Sequence, residues 1–423
     1  MKLNFRNYFF LGSLCIATLY SCSKTDTPQP TPVIPPVVVV PPVITPTFPT
    51  TLSGVKGILV DKNATDETAA LFYNMKMMSK TQIMFGHQDD TKSGFNFDSG
   101  NGTSDVKQVT GAFPAVYGWD LLDIASFRQN NYFTNQAPDL IRQLTKDAYA
   151  RGGINTYSWH YWNPVLSKRP GDGSVEGTNA SFNYDGLSPN TVSQILTGGS
   201  YNAVYNQSLD QVAAYFNTLK DANNKPIPVI FRIFHEMDGT WFWWGSSHCT
   251  PQQYKDLYQY TVKYLRDTKG LHNILFAWSP DRGATTEAQY LDRYPGDAYV
   301  DVVGMDQYYD LAADQVSNGG ITAASNKIKI VSDYALKANK VAALTETGLN
   351  LKTSSQTNWY SNVLLPALTQ KKVEIAYTMS WSNRNDEFFV PYAGHPAAAD
   401  FTSFKNNSLM VFGDKIPNVY KIN

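Results

Sequence analysis

The sequence is poor in cysteine, with three in 423 residues. Cys15 and Cys22 lie in an N-terminal segment that has the features of an export signal, so Cys249 is the one cysteine left for the rest of the chain. Disulfide-rich folds and zinc–thiolate sites both need several cysteines close together. The composition therefore excludes a disulfide framework and a thiolate metal centre, and we assign Cys249 no role.

Charge and recognisable ligand motifs are also scarce. Charged residues make up 17% of the chain, the formal net charge is -1, and no basic run indicates a nucleic-acid partner. No glycine-rich phosphate turn, serine nucleophile elbow or HxxxH spacing is present. We therefore expect no nucleic acid, no cofactor and no metal. The six histidines are His87, His160, His235, His248, His272 and His395.

No apolar run near the N-terminus is long enough to span a bilayer comfortably. The run YFFLGSLCIATLY, residues 8–20, follows Lys2 and Arg6, as in a signal peptide. It leads into LYSC, which ends at Cys22 and resembles a bacterial lipobox. We predict that residues 1–21 are a lipoprotein signal peptide and that acylated Cys22 anchors the chain to the bacterial outer membrane, on the cell surface or the periplasmic face. An ordinary secretory signal is the alternative.

A proline-rich segment follows the predicted anchor. Residues 22–52 carry almost no charge, and nine prolines fall between Pro28 and Pro49. Proline cannot donate to a sheet or continue a helix, and such runs favour extended polyproline II. We interpret residues 22–52 as a semi-rigid linker and residues 53–423 as one catalytic domain.

From residue 53 onward, short apolar runs alternate with segments of helical periodicity. Several of the helical segments end in glycine or asparagine, as helix C-termini do. Eight strands alternating with helices predict an α/β fold, a (β/α)₈ barrel, and an open doubly wound sheet is the alternative. The predicted strands are residues 83–86, 114–120, 154–160, 227–236, 274–278, 300–306, 341–346 and 375–381.

Each predicted strand ends on polar or aromatic residues. In a (β/α)₈ barrel the carboxyl ends of the strands and the loops after them build the active site. A single polar residue at a strand end is commonly structural, but eight such ends in a row indicate one functional mouth. The long loop at residues 165–207 is expected to form a wall of the cleft.

Two of these strand ends carry a glutamate. Glu236 follows the fourth predicted strand and Glu346 the seventh, which places them across the mouth from each other. Two carboxylates on either side of one bond are what glycoside hydrolysis requires. Aromatic neighbours favour a protonated Glu236, whereas hydroxyls and small residues around Glu346 favour its ionised form. Arg232, on the same predicted strand as Glu236, either positions the carboxylates or forms a structural ion pair.

Five motifs occur here in the order typical of glycoside hydrolase family 26: FGHQDD, HEMDGTWFWWG, GMDQYY, LTETG and TMSWSNR. The resemblance covers the chain from about Ser53 to the C-terminus. It implies a (β/α)₈ barrel, a retaining double displacement and no metal, with Glu236 as the acid/base and Glu346 as the nucleophile. Ile233 and Asp238 depart from the family pattern, where proline and asparagine are common.

The resemblance also implies a set of substrate-binding residues. Arg384 is expected to reach the next sugar outward, and the others line the site of cleavage. The set is His160, Trp162, His235, Trp241, Asp306, Tyr308, Trp381 and Arg384.

We therefore predict a monomeric, lipid-anchored β-1,4-mannanase that cleaves mannan, galactomannan or glucomannan internally. The same chemistry on β-glucan or β-1,3-xylan, or exo-acting release of mannobiose, is the alternative within this enzyme class. A surface glycan-binding lipoprotein without catalysis is the alternative from another class. The carboxylate pair distinguishes the two classes, because a pure binder has no use for it.

Overall fold

Eight parallel strands close into a barrel in the computed structural model. The barrel strands are β1 (Ile83–Gln88), β2 (Val116–Asp120), β3 (Ile154–Ser158), β4 (Val229–Arg232), β5 (Ile274–Trp278), β6 (Val302–Gln307), β7 (Val341–Thr347) and β8 (Tyr377–Ser380). A short ninth strand, β9 (Met410–Val411), lies outside the ring. From β1 to β8 each strand pairs with the next along the chain, and β1 also pairs with β8, which closes the ring. β9 adds to β1 in parallel. The predicted (β/α)₈ barrel is thus confirmed.

Helices fill the connections between the strands. They are α1 (Leu52–Ile58), α2 (Asp66–Met78), α3 (Asp105–Thr110), α4 (Ala137–Ala150), α5 (Thr191–Ile195), α6 (Asn202–Phe216), α7 (Pro251–Lys263), α8 (Glu287–Tyr290), α9 (Ala313–Val316), α10 (Gly320–Lys337), α11 (Leu365–Thr369) and α12 (Ala398–Asn406). Two π-helical turns, Tyr264–Thr268 and Tyr360–Leu364, continue α7 and precede α11. Because helices cover the outside and side chains fill the inside, nearly every strand residue is buried, as is usual for parallel sheets.

The N-terminal helices pack across one end of the barrel. α2 leads into β1 and contacts β5 and β7, which are not neighbours, so it crosses the end where the strands begin. Leu71 on α2 and Val55 on α1 belong to the same buried cluster as Ile230 and Leu275 on the strands. This packing leaves the opposite end, where the strands finish, as the accessible mouth.

The structure describes residues 48–98, 100, 102–122, 124, 137–166, 182–184, 186 and 190–422. The predicted signal peptide, Cys22 and most of the predicted linker lie outside this part of the chain, as does much of the predicted cleft wall at 165–207. The last linker residues belong to the folded unit, because the ring of Phe48 lies 6.1 Å from that of Phe72 on α2. None of the helices within the described residues has the length and apolar character needed to cross a membrane.

The fourth strand is shorter than predicted. It ends at Arg232, four positions before Glu236, and the backbone then departs from extended geometry. Phe234 and Glu236 have φ angles of 49° and 52°, in the left-handed region that residues other than glycine seldom adopt. The alternation of side chains along a strand therefore does not determine where Glu236 points, and its orientation depends on the loop.

Candidate active site

The loop after β4 presents Glu236 to the barrel mouth. The backbone N–H of Glu236 donates to the carbonyl of Ser279 at 2.9 Å, which ties this loop to the end of β5. Phe234 and Glu236, on either side of His235, both adopt left-handed backbone conformations that cost free energy, and surrounding contacts must hold them in place. The unusual backbone is therefore a means of aiming one carboxyl group.

A bulge in β7 presents Glu346. Relative to both neighbouring strands, β7 has one extra residue near Thr345, because Met305 pairs with Leu344 while Asp306 pairs with Glu346. A bulge changes the direction of the side chains beside it. Thr345 and Glu346 consequently both reach the group at the mouth, although neighbouring strand residues ordinarily point to opposite faces.

Three carboxyl groups meet where these strands end. One oxygen from each of Glu236, Asp306 and Glu346 lies within 4.8 Å of the other two. Among the described residues this is the one group of three acidic, histidine or cysteine side chains close enough to hold a metal ion. A protein cation already contacts two of the three carboxylates.

That cation is Arg232, which is 1% exposed. Its Nη1 donates to Asp306 Oδ2 at 2.8 Å and to Ser279 Oγ at 3.1 Å, and its Nη2 donates to Glu346 Oε1. Burial lowers the pKa of Arg232, but Asp306 and Glu346 more than offset it and the net pKa is raised. Arg232 thus stays charged, and the positioning role foreseen for it agrees with this geometry.

Asp306 lies below the surface of the site. It is fully buried, and its second oxygen accepts from Thr345 Oγ1 at 2.6 Å. Burial raises its pKa well above the usual range, although Arg232 opposes the shift. Both oxygens of Asp306 are therefore bonded inside the protein, one of them to Arg232, and its role in substrate binding stays a prediction.

Glu236 lies in a different environment from Glu346. Its Oε2 accepts from the indole Nε1 of Trp241 at 2.7 Å, and Arg232 makes no hydrogen bond to it. Burial, then the negative charges of Glu346 and Asp281, raise the pKa of Glu236 to about 8. A carboxyl group with this pKa holds its proton at neutral pH, as a general acid must.

Glu346 accepts hydrogen bonds on both oxygens. Tyr308 donates its hydroxyl to Oε2 at 2.9 Å, while Arg232 binds Oε1. Burial, followed by the charge of Glu346, raises the pKa of Tyr308 well above its usual value, so the phenol keeps its proton and remains a donor. Donors on both oxygens favour the ionised form of a carboxylate.

Two histidines lie beside the carboxyl groups. His160 Nδ1 is 2.5 Å from Asp120 Oδ2, and because a carboxylate accepts, Nδ1 carries a proton and Nε2 faces away from Asp120. Burial raises the pKa of Asp120, yet His160 and Ser158 lower it further, to about 2. The ring of His160 lies 4.6 Å from that of His235 and 6.0 Å from that of Trp381. Burial, then the charge of Arg232, lowers the pKa of His235, which is therefore neutral.

The tryptophans after Glu236 have separate tasks. Trp243 and Trp244 are fully buried and donate their indole N–H groups to the carbonyls of Tyr161 and His235, each at 2.8 Å. Trp241 is 39% exposed. Its carbonyl accepts from the backbone of Tyr184 at 2.6 Å, which fixes the loop from the side of the predicted cleft wall.

Trp162 and Arg384 are the remaining two predicted sugar-binding residues outside the carboxyl group set. Trp162 is nearly buried in the segment after β3, at 7% exposure. Arg384 is largely exposed, and its guanidinium donates to Glu387 at 2.5 Å. The structure thus gathers His160, His235, Trp241, Tyr308 and Trp381 around the carboxyl groups, and contact with sugar stays a prediction for each.

Asp120 and Thr345 are parts of the site that we did not identify from the sequence. Asp120 ends β2 as one polar strand end among eight, and its pairing with His160 depends on the register of β2 against β3. Thr345 reaches the site because of the bulge in β7, and nothing in the apolar sequence of this strand indicates a bulge. Position at a strand end was the only signal available.

Known proteins with similar sequences belong to one class of enzyme. A Mannan endo-1,4-beta-mannosidase from Bifidobacterium adolescentis is 36% identical over 84% of this chain, and this chain spans 36% of that longer protein. A protein of the same name from Bacillus subtilis is 29% identical, with 67% of this chain and 69% of that protein aligned.

Solved structures agree as well. GH26C from a Muricauda species superimposes with a TM-score of 0.80 at 35% identity, covering 88% of this chain and 98% of that one. A GH26 beta-mannanase from Bacteroides ovatus gives a TM-score of 0.75 at 33% identity, covering 84% and 98%. The sequence model of Glycosyl hydrolase family 26 matches residues 60–387, which contain both glutamates and every predicted sugar-binding residue. The family resemblance is confirmed: this chain belongs to glycosyl hydrolase family 26.

Proposed function

We propose that this chain is a β-1,4-mannanase that cleaves mannan-type polysaccharides internally with retention of anomeric configuration. The observation that carries the proposal is the pair Glu236 and Glu346, whose carboxyl oxygens lie within 4.8 Å of each other in opposite protonation environments. Retaining glycosidases hold their two carboxyl groups about 5–5.5 Å apart, and inverting enzymes need a wider gap for water. The short spacing supports retention.

In the first step, protonated Glu236 gives its proton to the glycosidic oxygen. Glu346 attacks the anomeric carbon as the bond to that oxygen breaks, so the sugar becomes an ester of Glu346 and the leaving chain departs as an alcohol. Trp241 donates to Glu236 Oε2 and so leaves Oε1 to carry the proton.

In the second step, ionised Glu236 takes a proton from water. The oxygen of that water attacks the anomeric carbon, the ester bond to Glu346 breaks, and the product keeps its original configuration. Once Glu346 is esterified its charge is gone, and this loss favours ionisation of Glu236 at the moment when a base is needed.

The related mannanases support the substrate class. The relatives from Bifidobacterium adolescentis and Bacillus subtilis carry the name mannan endo-1,4-beta-mannosidase, and their sequence similarity over 84% and 67% of this chain supports the same substrate here. The rings of His160 and Trp381 flank the carboxyl groups and offer a sugar one hydrogen-bonding edge and one apolar face. We propose that the chain acts on mannan as a monomer.

Substitution of the two glutamates is expected to affect cleavage activity in different ways. Glu346→Ala should abolish cleavage, whereas Glu236→Ala should lose activity on mannan yet keep a slow first step on an aryl mannobioside, whose leaving group needs no proton. Proton transfer by a positioned acid is worth about 10²–10⁴-fold. Proton NMR of the digest should show the β-anomer first. An α-anomer appearing first, or full activity in either variant, contradicts the mechanism.

The substrate is tested by the products that the wild-type chain forms from mannan, galactomannan, lichenan and β-1,3-xylan. Mixed mannooligosaccharides from the first two indicate internal cleavage of mannan. Mannobiose alone would replace the endo mode with an exo mode. Cleavage of lichenan or xylan without mannan would overturn the substrate.

The pH profile should report the proton on Glu236. Because its pKa is raised to about 8, the acid form is present at neutral pH and kcat/KM should fall as pH rises through about 8. Asp281→Asn removes one of the negative charges that raise this pKa, so the alkaline limb should move to lower pH. Asp333→Asn, an exposed position on α10, serves as the matched control with no movement. An unmoved limb in Asp281→Asn contradicts this electrostatic account.

Arg232 is expected to be needed for both stability and rate. Arg232→Met leaves Asp306 and Glu346 buried without their cation, and breaking a buried ion pair on one side costs about 3–5 kcal/mol. Thermal unfolding should occur at lower temperature, and kcat should fall at least tenfold even where the variant remains folded. The control Arg142→Met removes a partly buried arginine paired with Asp139 on α4, and it should leave kcat unchanged and lower the unfolding temperature far less.

We also propose that Cys22 is acylated and anchors the chain to the outer membrane. The support is the short apolar run followed by LYSC and the proline-rich linker. In a Gram-negative host fed labelled palmitate, the full chain should carry the label and fractionate with membranes, and Cys22→Ser should do neither. Cys249→Ser is the matched control and should keep the label. A labelled Cys22→Ser variant or an unlabelled wild type contradicts the anchor.

A further inference from the structure

Exposed aromatic surface is concentrated at the catalytic mouth. Among the residues that the structure describes, three large hydrophobic side chains are clearly exposed: Trp241 at 39%, Tyr309 at 49% and Leu336 at 37%. Trp241 contacts the catalytic acid Glu236, and Tyr309 directly follows Tyr308, which binds Glu346. Leu336 lies near the end of α10, just before β7 begins, and so at the opposite end of the barrel from the mouth. Tyr309 is therefore an exposed aromatic ring beside the catalytic centre that the mechanism above does not use.

Tyr309 is held in place by the neighbouring loop. The guanidinium of Arg282, after β5, lies over the Tyr309 ring at 4.2 Å from its centroid. Arg282 Nη1 also pairs with Asp281 Oδ2 at 3.3 Å, and the backbone N–H of Asp281 donates to Asp238 Oδ1 at 2.7 Å. Arginine stacks flat on aromatic rings, so one face of Tyr309 is covered and its exposed area belongs to the rest of the ring.

The strand order places this pair on one side of the catalytic axis. Glu236 follows β4 and Glu346 ends β7, so the line between them divides the ring of strands in two. β5 and β6 lie on one side and carry Arg282 and Tyr309. β8, β1, β2 and β3 lie on the other side, where His160 and Trp381 approach each other to 6.0 Å.

A sugar chain must cross this axis to be cut. The scissile bond lies between the two carboxyl groups, so the sugar that becomes esterified lies on one side and the leaving chain on the other. Trp381 and Arg384 both follow β8, and the family resemblance gives them the sugar at the site of cleavage and the next sugar outward, so the esterified end of the chain lies on the β8 side. The leaving chain therefore runs over the β5–β6 side.

We propose that Tyr309, braced by Arg282, is a sugar-stacking platform for the leaving-group side of a β-mannan chain. This assignment rests on the proposed function and adds a residue that sets which bonds are cut. The tyrosine ring offers an apolar face and edge to the sugar, while Arg282 limits the rotamers of Tyr309 and so reduces the entropy lost on binding. Asp281 links the platform to the loop that carries Glu236, so bound polysaccharide and catalytic acid share one support.

The test compares two substrates in the intact chain. Mannohexaose has sugars on both sides of the cut, whereas 4-nitrophenyl β-mannobioside has a leaving group that is not a sugar. For Tyr309→Ala, the ratio of kcat/KM for mannohexaose to that for the aryl mannobioside should fall by about three- to tenfold, mainly through KM, as expected for one aromatic contact. Tyr309→Phe keeps the ring and should restore the ratio.

Leu336→Ala is the matched control, because it removes another exposed apolar side chain away from the mouth and should leave the ratio unchanged. An equal loss on both substrates in Tyr309→Ala would indicate a structural effect on Glu236 and would overturn the platform. An unchanged ratio would overturn it as well. Failure of the wild type on both substrates would overturn the proposed function instead, and the two failures are thereby distinguished.

Discussion

The Arg232 guanidinium makes contact with Asp306 and Glu346 in a region with almost no exposure to water. Burying three charged groups costs several kcal/mol each before their mutual attraction offsets it, and apolar residues of similar volume are often no less stable. A contribution to the stability of the fold therefore does not explain why these three residues are present. Its effect is on geometry, because one planar cation ties the ends of β4, β6 and β7 together and holds Glu346 at a fixed distance from Glu236.

The same cluster places the two glutamates, Glu236 and Glu346, in different electrostatic environments. Glu346 receives donors on both oxygens, from Arg232 and Tyr308. Glu236 receives only the indole of Trp241 and lies close to the negative charge of Glu346, which together with burial raises its pKa to about 8. The negative charge of Glu346 thus helps to keep Glu236 protonated. In the proposed mechanism, the nucleophile is the glutamate that Arg232 contacts, and the acid is the glutamate that it does not contact.

The fold was predictable from the sequence because parallel strands buried on both faces appear as short apolar runs, and all eight were located to within a few residues. The two glutamates were predictable because strand ends converge in this fold. The bulge at Thr345 and the left-handed backbone at Glu236 were not, since both depend on contacts between loops and strands distant in sequence. The pairing of His160 with Asp120 has the same origin, because it is set by the register between β2 and β3.

The irregular loop that carries Glu236 must be held in place, and the three tryptophans after Glu236 do this in different ways. An indole that donates to Glu236 must be partly open to substrate, and an exposed ring on an irregular loop gains little from burial to hold it in place. Trp243 and Trp244 hold the loop in place, because both are fully buried and both donate hydrogen bonds to backbone carbonyls, those of Tyr161 and His235. The loop is therefore anchored by its buried aromatic rings, which leaves the exposed ring of Trp241 free to orient Glu236.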